Sequence, residues 1–303
     1  MIFLRPDAHG TSRVADLTDL FEGQTAMLIG GAPSLREQSI HLLNQRGVLT
    51  VAINNAAVHF RPTLWISSDK PECYEPQILL DPTIMKMAPI GHANTQLGKE
   101  YGGLKYLDMP NIFFYTQSSN IDWSEYLDEH SGVPWYHNTL MSAIHILYQL
   151  GIRKIILGGS DFGGATDGAM YAHKTELSKL QQKWNIDLYN SLVEELRILH
   201  NYFETKQLTF MDCSKNSRLK KTYAHLTLDD AVLECLKKFP PKMVDSSSLP
   251  HCSKFAKMSI KKSIAGWPGN EKNKLAPNSK IEDIIVTPDK GEVKPKKQLR
   301  TLM

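Results

Sequence analysis

Apolar positions along the chain fall into short unbroken runs, and each run closes on glycine, asparagine or a carboxylate. Residues 25–31, TAMLIGG, show the pattern first. A run this short, with no polar position inside it, predicts a strand covered on both faces, as in a parallel sheet. Gly30 and Gly31 then turn the chain tightly. The next segment, LREQSIHLLNQRG, places Leu35, Leu42 and Leu43 on one face of a predicted helix. Ser34 is its expected N-cap, Glu37 completes a capping box, and Gly47 stops it. VLTVAI at 48–53 predicts a second strand ending at Asn54-Asn55. TLWISSD at 63–69 predicts a third ending in a carboxylate. Strand, helix, strand, loop, strand is the grammar of an α/β fold.

The stretch 80–130 is less periodic. IMKMAPI at 84–90 and NIFFYT at 111–116 predict strands, with loops between them. Helical spacing returns at 138–150, where Leu140, Ile144, Leu147 and Leu150 share a face. KIILGGSDFGG at 154–164 is the most apolar predicted strand and again ends in glycines and a carboxylate. A long amphipathic helix is expected over 179–203, a final strand over 207–211, and a helix over 226–239. Past Pro240 the chain turns rich in proline, serine, glycine and lysine. Residues 1–240 are therefore expected to form one domain. Residues 241–303 are expected to be a flexible basic extension that lacks the apolar content for a core. Within it SKFAKMSIKKSI, 253–264, reads as a short basic helix for an acidic or lipid surface, or as solvated tail. There are no internal repeats.

Charge sharpens this division. The 303 residues carry a net charge of +3. Residues 1–240 hold 22 basic and 26 acidic groups, a net −4, and residues 241–303 hold 13 and 6, a net +7. A slightly acidic body thus carries a basic tail, and whole-chain basicity is no argument for nucleic-acid binding. Ordinary glycine and proline content excludes collagen-like and mucin-like chains. The cysteines Cys73, Cys213, Cys235 and Cys252 form no CxxC pair and no zinc spacing, so free thiols in a reducing compartment are expected. No apolar run reaches the roughly 20 residues of a membrane-spanning helix. Met1–Arg13 shows no apolar segment with a cleavage site, so a cytoplasmic location is expected. A peripheral role at a membrane and a homo-oligomer both stay open.

Candidate chemistry gathers at the predicted strand ends. Ile29-Gly30-Gly31-Ala32-Pro33-Ser34 sits between a strand and a helix, where glycines let the backbone approach a phosphate and helix amides point at it. It lacks GxGxxG and the Lys-Ser/Thr of a P-loop, and a tight turn without a ligand would look the same. Asn54 and Asn55 can hydrogen-bond a base or ribose, or simply form a turn. Asp69, after Ser68, can hold a sugar hydroxyl or a metal, or cap the next turn. The densest group is Gly158-Gly159-Ser160-Asp161-Phe162-Gly163-Gly164 followed by Tyr171-Ala172-His173. Here a carboxylate, a phenol and an imidazole follow one strand, the imidazole being a general base near neutral pH. A surface loop with an incidental histidine is the alternative. His137-Asn138-Thr139 reads as a helix cap, and His145 as structural. Asp212-Cys213-Ser214-Lys215-Asn216-Ser217-Arg218 offers hydroxyls, an amide and cations to a nucleotide or sugar acid. Cys213 as a nucleophile has no evident base. No HExxH and no DxD occurs.

LIGGAPSL at 28–35 resembles the G-x-G-P-S-L nucleotide turn of the Campylobacter-type bacterial sialyltransferases. It also resembles that of the related flagellin motility-accessory (Maf) proteins and 6-hydroxymethylpterin pyrophosphokinases. AINNA at 52–56, TLMSAIHILYQLGIRKIILGGSDF at 139–162, YAH at 171–173 and DCSKNSRL at 212–219 extend the similarity in the same order. The resemblance implies a Rossmann-like α/β domain with a mostly parallel sheet flanked by helices. It implies a glycosyltransferase-like enzyme with a nucleotide-activated sugar as donor substrate and no tightly bound cofactor. Gly30, Gly31, Pro33 and Ser34 would surround the donor phosphate and ribose. Asn54, with Asn55 and Asp69 nearby, would contact the nucleotide or sugar. Tyr171 would bind phosphate, and His173 would be the base. Asp161 would be catalytic, and Ser214 and Ser217 would line the donor site. A diphosphate leaving group would make Asp69 or Asp161 a place for Mg²⁺. The acceptor stays open among a glycan, a protein and a modified nucleic acid. Pyrophosphoryl transfer from ATP to a small alcohol is the alternative on the same scaffold, and a non-catalytic nucleotide-sugar or protein-binding module is a second.

Overall fold

In the computed structural model, residues 2–6, 12–118, 122–128, 132–135, 138–163, 169–173 and 177–237 are described. The expected basic extension 241–303, with Cys252 and the 253–264 pattern, lies outside them, as do His137 and Gly164. The strands in chain order are Ile2–Pro6 (β1), Ser12–Asp16 (β2), Thr25–Ile29 (β3), Leu49–Ile53 (β4) and Leu64–Ile66 (β5). Pro76–Leu80 is a short helix (α1), followed by Met85–Pro89 (β6), Ile112–Tyr115 (β7), Gln117–Ser118 (β8) and Val133–Pro134 (β9). The chain ends its described course with Thr139–Gln149 (α2), Lys154–Gly158 (β10), Lys179–Thr205 (α3), Thr209–Asp212 (β11), Ala224–His225 (β12) and Leu228–Leu236 (α4).

Ten of these strands form one sheet in the order β12-β11-β10-β3-β4-β5-β6-β7-β1-β2. From β12 to β7 every pairing is parallel, and β1 runs antiparallel both to β7 and to its hairpin partner β2. After the β1–β2 hairpin the chain enters the centre of the sheet at β3, winds outward to β7, and returns to the other side of β3 at β10. This is the doubly wound, Rossmann-like arrangement. Its winding reverses between β3 and β10, where Gly158 pairs with Ile29. The carboxyl ends of two strands that lead away in opposite directions leave a crevice there.

Alternation along β3 explains the layers. Leu28 packs with Ile144, Leu147, Leu192 and Leu196 of α2 and α3 on one face. Met27 and Ile29 pack with Leu35, Leu43, Ala231 and Val232 on the other. Every residue of β3 and β4 is buried, as unbroken apolar runs require.

Two elements differ from the sequence expectation. The hairpin β1–β2 closes the β7 edge and carried no run or turn signal. The helix expected after Ser34 is instead two separate 3₁₀ turns, Pro33–Glu37 and Ile40–Asn44. Ser34 is not their cap. Ala32 holds that position without a side-chain bond, Ser39 breaks the helical path at ψ 62°, and Glu37 pairs with Lys215 at 2.6 Å instead of closing a capping box. The long helix does start on a capping box, Ser178 with Gln181, and runs to Thr205.

Candidate functional site

At the switch point the two strand ends are laced together. The Gly30 amide donates to the Gly158 carbonyl at 2.8 Å, and the Ala32 amide to the Gly159 carbonyl at 2.9 Å. A Cβ on Gly30 would stand 2.7 Å from both the Gly159 carbonyl oxygen and Ser160 Oγ. Glycine is required there by the approach of the two strands. Gly31 is different: the nearest atoms to a Cβ would be the Ala56 nitrogen at 3.9 Å and His173 Nδ1 at 4.0 Å. Its open side faces the imidazole, not the sheet.

Ser34 and Asp161, 127 residues apart, form a clasp beneath this turn. Ser34 Oγ donates to Asp161 Oδ1 at 2.5 Å, and the Ser34 amide donates to Oδ2 at 3.0 Å. Burial raises the Asp161 carboxyl's pKa, and the Ser34 bonds and the Asn216 amide pull it back. Both carboxylate oxygens are thus occupied from within, and the geometry makes Asp161 a bracket for the glycine turn. Pro33, buried, opens that turn.

The segment 171–173 is pinned onto the same turn. The Ala172 amide donates to the Gly31 carbonyl at 2.8 Å. Arg36 donates to the carbonyls of Ala172 and Tyr171 at 2.8 and 2.9 Å. The Tyr171 ring stacks on the His173 ring, centroids 5.2 Å apart. Asn185 on α3 donates to the Tyr171 hydroxyl at 3.1 Å. Burial, with the Tyr171 phenol beside it, pushes the Tyr189 phenol's pKa up. With the Asn185 amide donating to its oxygen, the Tyr171 hydroxyl has its own proton to offer an outside acceptor.

His173 Nδ1 is buried and has no hydrogen-bond partner among the described residues. A second imidazole, His59, lies 6.5 Å away between centroids, and its Nε2 is also buried without a partner. Burial lowers the pKa of both rings. The Arg36 cation lowers both further, and His59 adds to the effect on His173. Both are therefore neutral at pH 7, the form that accepts a proton.

Asn54 ends β4 in a left-handed conformation, φ 50°. Its backbone carbonyl accepts from Trp65 Nε1 at 2.8 Å. Its Oδ1 accepts from the Tyr74 hydroxyl at 3.1 Å, which turns the amide nitrogen outward as a donor. Asp69 is exposed and stands 3.4 Å from the same tyrosine hydroxyl. Asn55 Nδ2 donates to the Cys73 carbonyl at 3.0 Å, while its buried Oδ1 has no partner among the described residues.

The structure thus brings Gly30, Gly31, Pro33, Ser34, Asp161, Tyr171 and His173 together at the switch point. Asn54, Asn55 and Asp69 stand at the neighbouring strand ends. Ser214 and Ser217 are turned inward: Ser214 Oγ accepts from the Ser160 amide and Ser217 Oγ from the Leu219 amide, each at 3.0 Å. Burial pushes the Cys213 thiol far up, so it is held as the thiol and not as a nucleophilic thiolate. Asn138 caps α2 as expected, through Leu140. Among the described residues no group of three or more His, Cys, Asp and Glu side chains is placed to hold a metal ion. Of the two carboxylates expected for Mg²⁺, Asp161 accepts from Ser34 and Asp69 is exposed.

Sequence reasoning missed Arg36, His59, Tyr74 and Asn185. His59 carried a signal, since it lies five residues past the strand-end Asn54, on the turn facing the glycines. Asn185 carried none, because its role depends on how α3 crosses the sheet.

No protein-family model matches the chain, and no curated protein does so. Among solved structures it is similar to the sialyltransferase CstII from Campylobacter jejuni in complex with the substrate analogue CMP-3FNeuAc. The identity is 13%, the match covers 79% of this chain and 99% of that one, and the TM-score is 0.39. It is similar to CstII with cytidine-5'-monophosphate at 14% identity, 67% and 85% coverage and TM-score 0.37. It is similar to a mammalian sialyltransferase at 13% identity, 64% and 70% coverage and TM-score 0.34. These likenesses are weak, and no residue's role in this chain follows from them.

Proposed function

We propose that the chain is a glycosyltransferase that moves a sugar from a nucleotide-activated donor to a hydroxyl acceptor. The observation that carries this reading is His173, a neutral imidazole with a buried, unpartnered nitrogen aimed over the glycine turn of the switch point. The sequence resemblance in the 28–35 turn and its companions points to the same chemistry. The acceptor oxygen gives its proton to His173 Nδ1 as it bonds to the anomeric carbon. The bond from that carbon to the phosphate oxygen breaks, and its electron pair leaves with the nucleotide. Tyr171, its oxygen accepting from Asn185, donates a hydrogen bond to the departing phosphate. The Asn54 amide contacts the nucleotide or sugar. Among the described residues no helix is long and apolar enough to cross a membrane.

The test is release of free nucleotide from CMP-, UDP- and GDP-sugars, with and without Mg²⁺, by the full chain and by His173→Gln. Turnover of one donor, lowered by about 10² or more in the variant, is expected for loss of a general base. AMP release from ATP with a strict Mg²⁺ requirement would replace this reading with pyrophosphoryl transfer. Saturable binding with no turnover would leave a binding module.

A further inference from the structure

The site contains one histidine more than the transfer chemistry uses. His59 reaches the crevice from the turn after β4, and His173 reaches it from the segment after β10. Their rings are tilted by 43°, so they do not stack on each other. His59 Nε2 and His173 Nδ1 are both buried and both lack a partner among the described residues. Leaving one such nitrogen unpaired costs about 1–3 kcal/mol. Two in one crevice, among backbone groups that are otherwise laced together, mark the place of a polar occupant.

We propose that His59 and His173 form a two-imidazole cradle for the acceptor hydroxyl, with His59 Nε2–H donating to its oxygen and His173 Nδ1 accepting its proton. The proposal rests on the glycosyl-transfer reading and assigns His59 as a binding residue for the acceptor. A ring nitrogen lies about 1.2 Å from its centroid. With the rings 6.5 Å apart, nitrogens turned toward each other would fall within the roughly 5.6 Å that one oxygen can bridge with two ordinary hydrogen bonds. Hydrogen-bond polarity selects the occupant. A neutral imidazole offers a donor on one nitrogen and an acceptor on the other. An alcohol oxygen with one proton satisfies both rings. A phosphate oxygen, which only accepts, satisfies both rings where both nitrogens carry a proton, and only one where the tautomers are complementary. In complementary tautomers the cradle takes an alcohol rather than the donor's phosphate.

The charged and titratable groups facing the pair define its pH behaviour. Arg36, on the turn after β3, is the cation near both rings. Tyr171 stacks on His173, and Asp161 is turned away into Ser34. In the transfer step the hydroxyl proton passes to His173 while His59 stays neutral and in place. In acid, where His59 itself gains a proton, its charge disfavours the His173 imidazolium, so removing His59 raises the His173 midpoint.

The experiment compares His59→Phe, which keeps ring volume, with His59→Gln, which restores a donor. The donor identified by the turnover screen is used with water as the acceptor probe. Hydrolysis is expected to fall about tenfold or more in His59→Phe, as for loss of one orienting hydrogen bond. Donor affinity should be unchanged, the acid limb should move to higher pH, and His59→Gln should recover part of the rate. A wild-type rate with an unmoved acid limb in His59→Phe would overturn the cradle. If the native chain turns over no donor, the transfer reading fails, and ¹⁵N-histidine NMR of the full chain judges the cradle alone. Complementary tautomers, protonated at His59 Nε2 and unprotonated at His173 Nδ1, with a His173 midpoint that rises in His59→Phe, would support it. Like tautomers or an unmoved midpoint would refute it.

Discussion

Replacing Ser34 with alanine removes one oxygen from the clasp beneath the glycine turn. Ser34 is fully buried and Asp161 is 6% exposed, so water cannot take the hydroxyl's place. The lost bond is a 2.5 Å donation to Asp161 Oδ1, while the Ser34 amide still serves Oδ2 at 3.0 Å. A hydrogen bond to a charged group contributes about 1.5–3 kcal/mol, and the small void adds little. A loss of about 2 kcal/mol at pH 7 is expected, a factor of roughly 30 in the folding equilibrium. Its pH dependence has a definite sign. The folded-state pKa of Asp161 is raised, chiefly by burial. Its ionisation therefore costs folding stability above that pKa, and the cost disappears as pH falls below the unfolded value. The Ser34 bonds lower the pKa, so Ser34→Ala raises it further. The difference between native chain and variant is full at neutral pH and shrinks as pH falls through the Asp161 midpoint. Urea unfolding of both across neutral and acid pH measures it. Ser217→Ala is the comparator, since its hydroxyl accepts only from the neighbouring Leu219 amide. A neutral-pH difference below about 0.5 kcal/mol, the scale of ordinary surface changes, would refute the clasp, as would a difference that does not shrink in acid.

The two adjacent glycines should behave oppositely. Gly30→Ala forces a Cβ to 2.7 Å from a backbone oxygen and should cost about 2 kcal/mol or more in thermal or urea unfolding. Gly31→Ala meets nothing closer than 3.9 Å and should unfold like the native chain while binding nucleotide-sugar at least about tenfold more weakly, read by calorimetry. Arg36→Leu frees the Tyr171 and Ala172 carbonyls and removes the cation that lowers the His173 pKa, so the acid limb of any turnover should move to higher pH. Lys86, fully buried on β6, donates to the carbonyls of Asp81, Ile84 and Pro110. Lys86→Met strands all three, and a loss of at least about 3 kcal/mol is expected in the unfolding midpoint.

The central strands were legible because a strand buried on both faces must be apolar at every position, and β3, β4 and β10 are nearly so. The long helix α3 was legible from its amphipathic spacing. The β1–β2 hairpin was not, because an edge pair needs neither an unbroken apolar run nor a marked turn. The turn after β3 misled for a specific reason. Leu35, Leu42 and Leu43 have helical spacing, but Ser34's hydrogen bonds are claimed by Asp161 from across the sheet. Two short turns result in place of one helix with a free amide end. The gathering of glycines, Asp161, Tyr171 and His173 was readable from their positions after strand ends, since parallel strands deliver such residues to one edge. Their roles were not. Asp161 reads as a catalytic carboxylate until its partners are known, and Ser214 and Ser217 read as ligands until their hydroxyls are seen to accept from the Ser160 and Leu219 amides. His59 has a sequence position near the site, five residues past Asn54, but only packing shows that it lies beside an imidazole over a hundred residues away.

The claim that the switch-point crevice binds a nucleotide-activated sugar is tested most directly by titrating the full chain and Gly31→Ala with CMP-, UDP- and GDP-sugars in a calorimeter. One donor should bind the native chain saturably, and the variant, equally stable to heat, should bind it at least about tenfold more weakly. No binding by any donor, or equal binding by both proteins, would contradict the account.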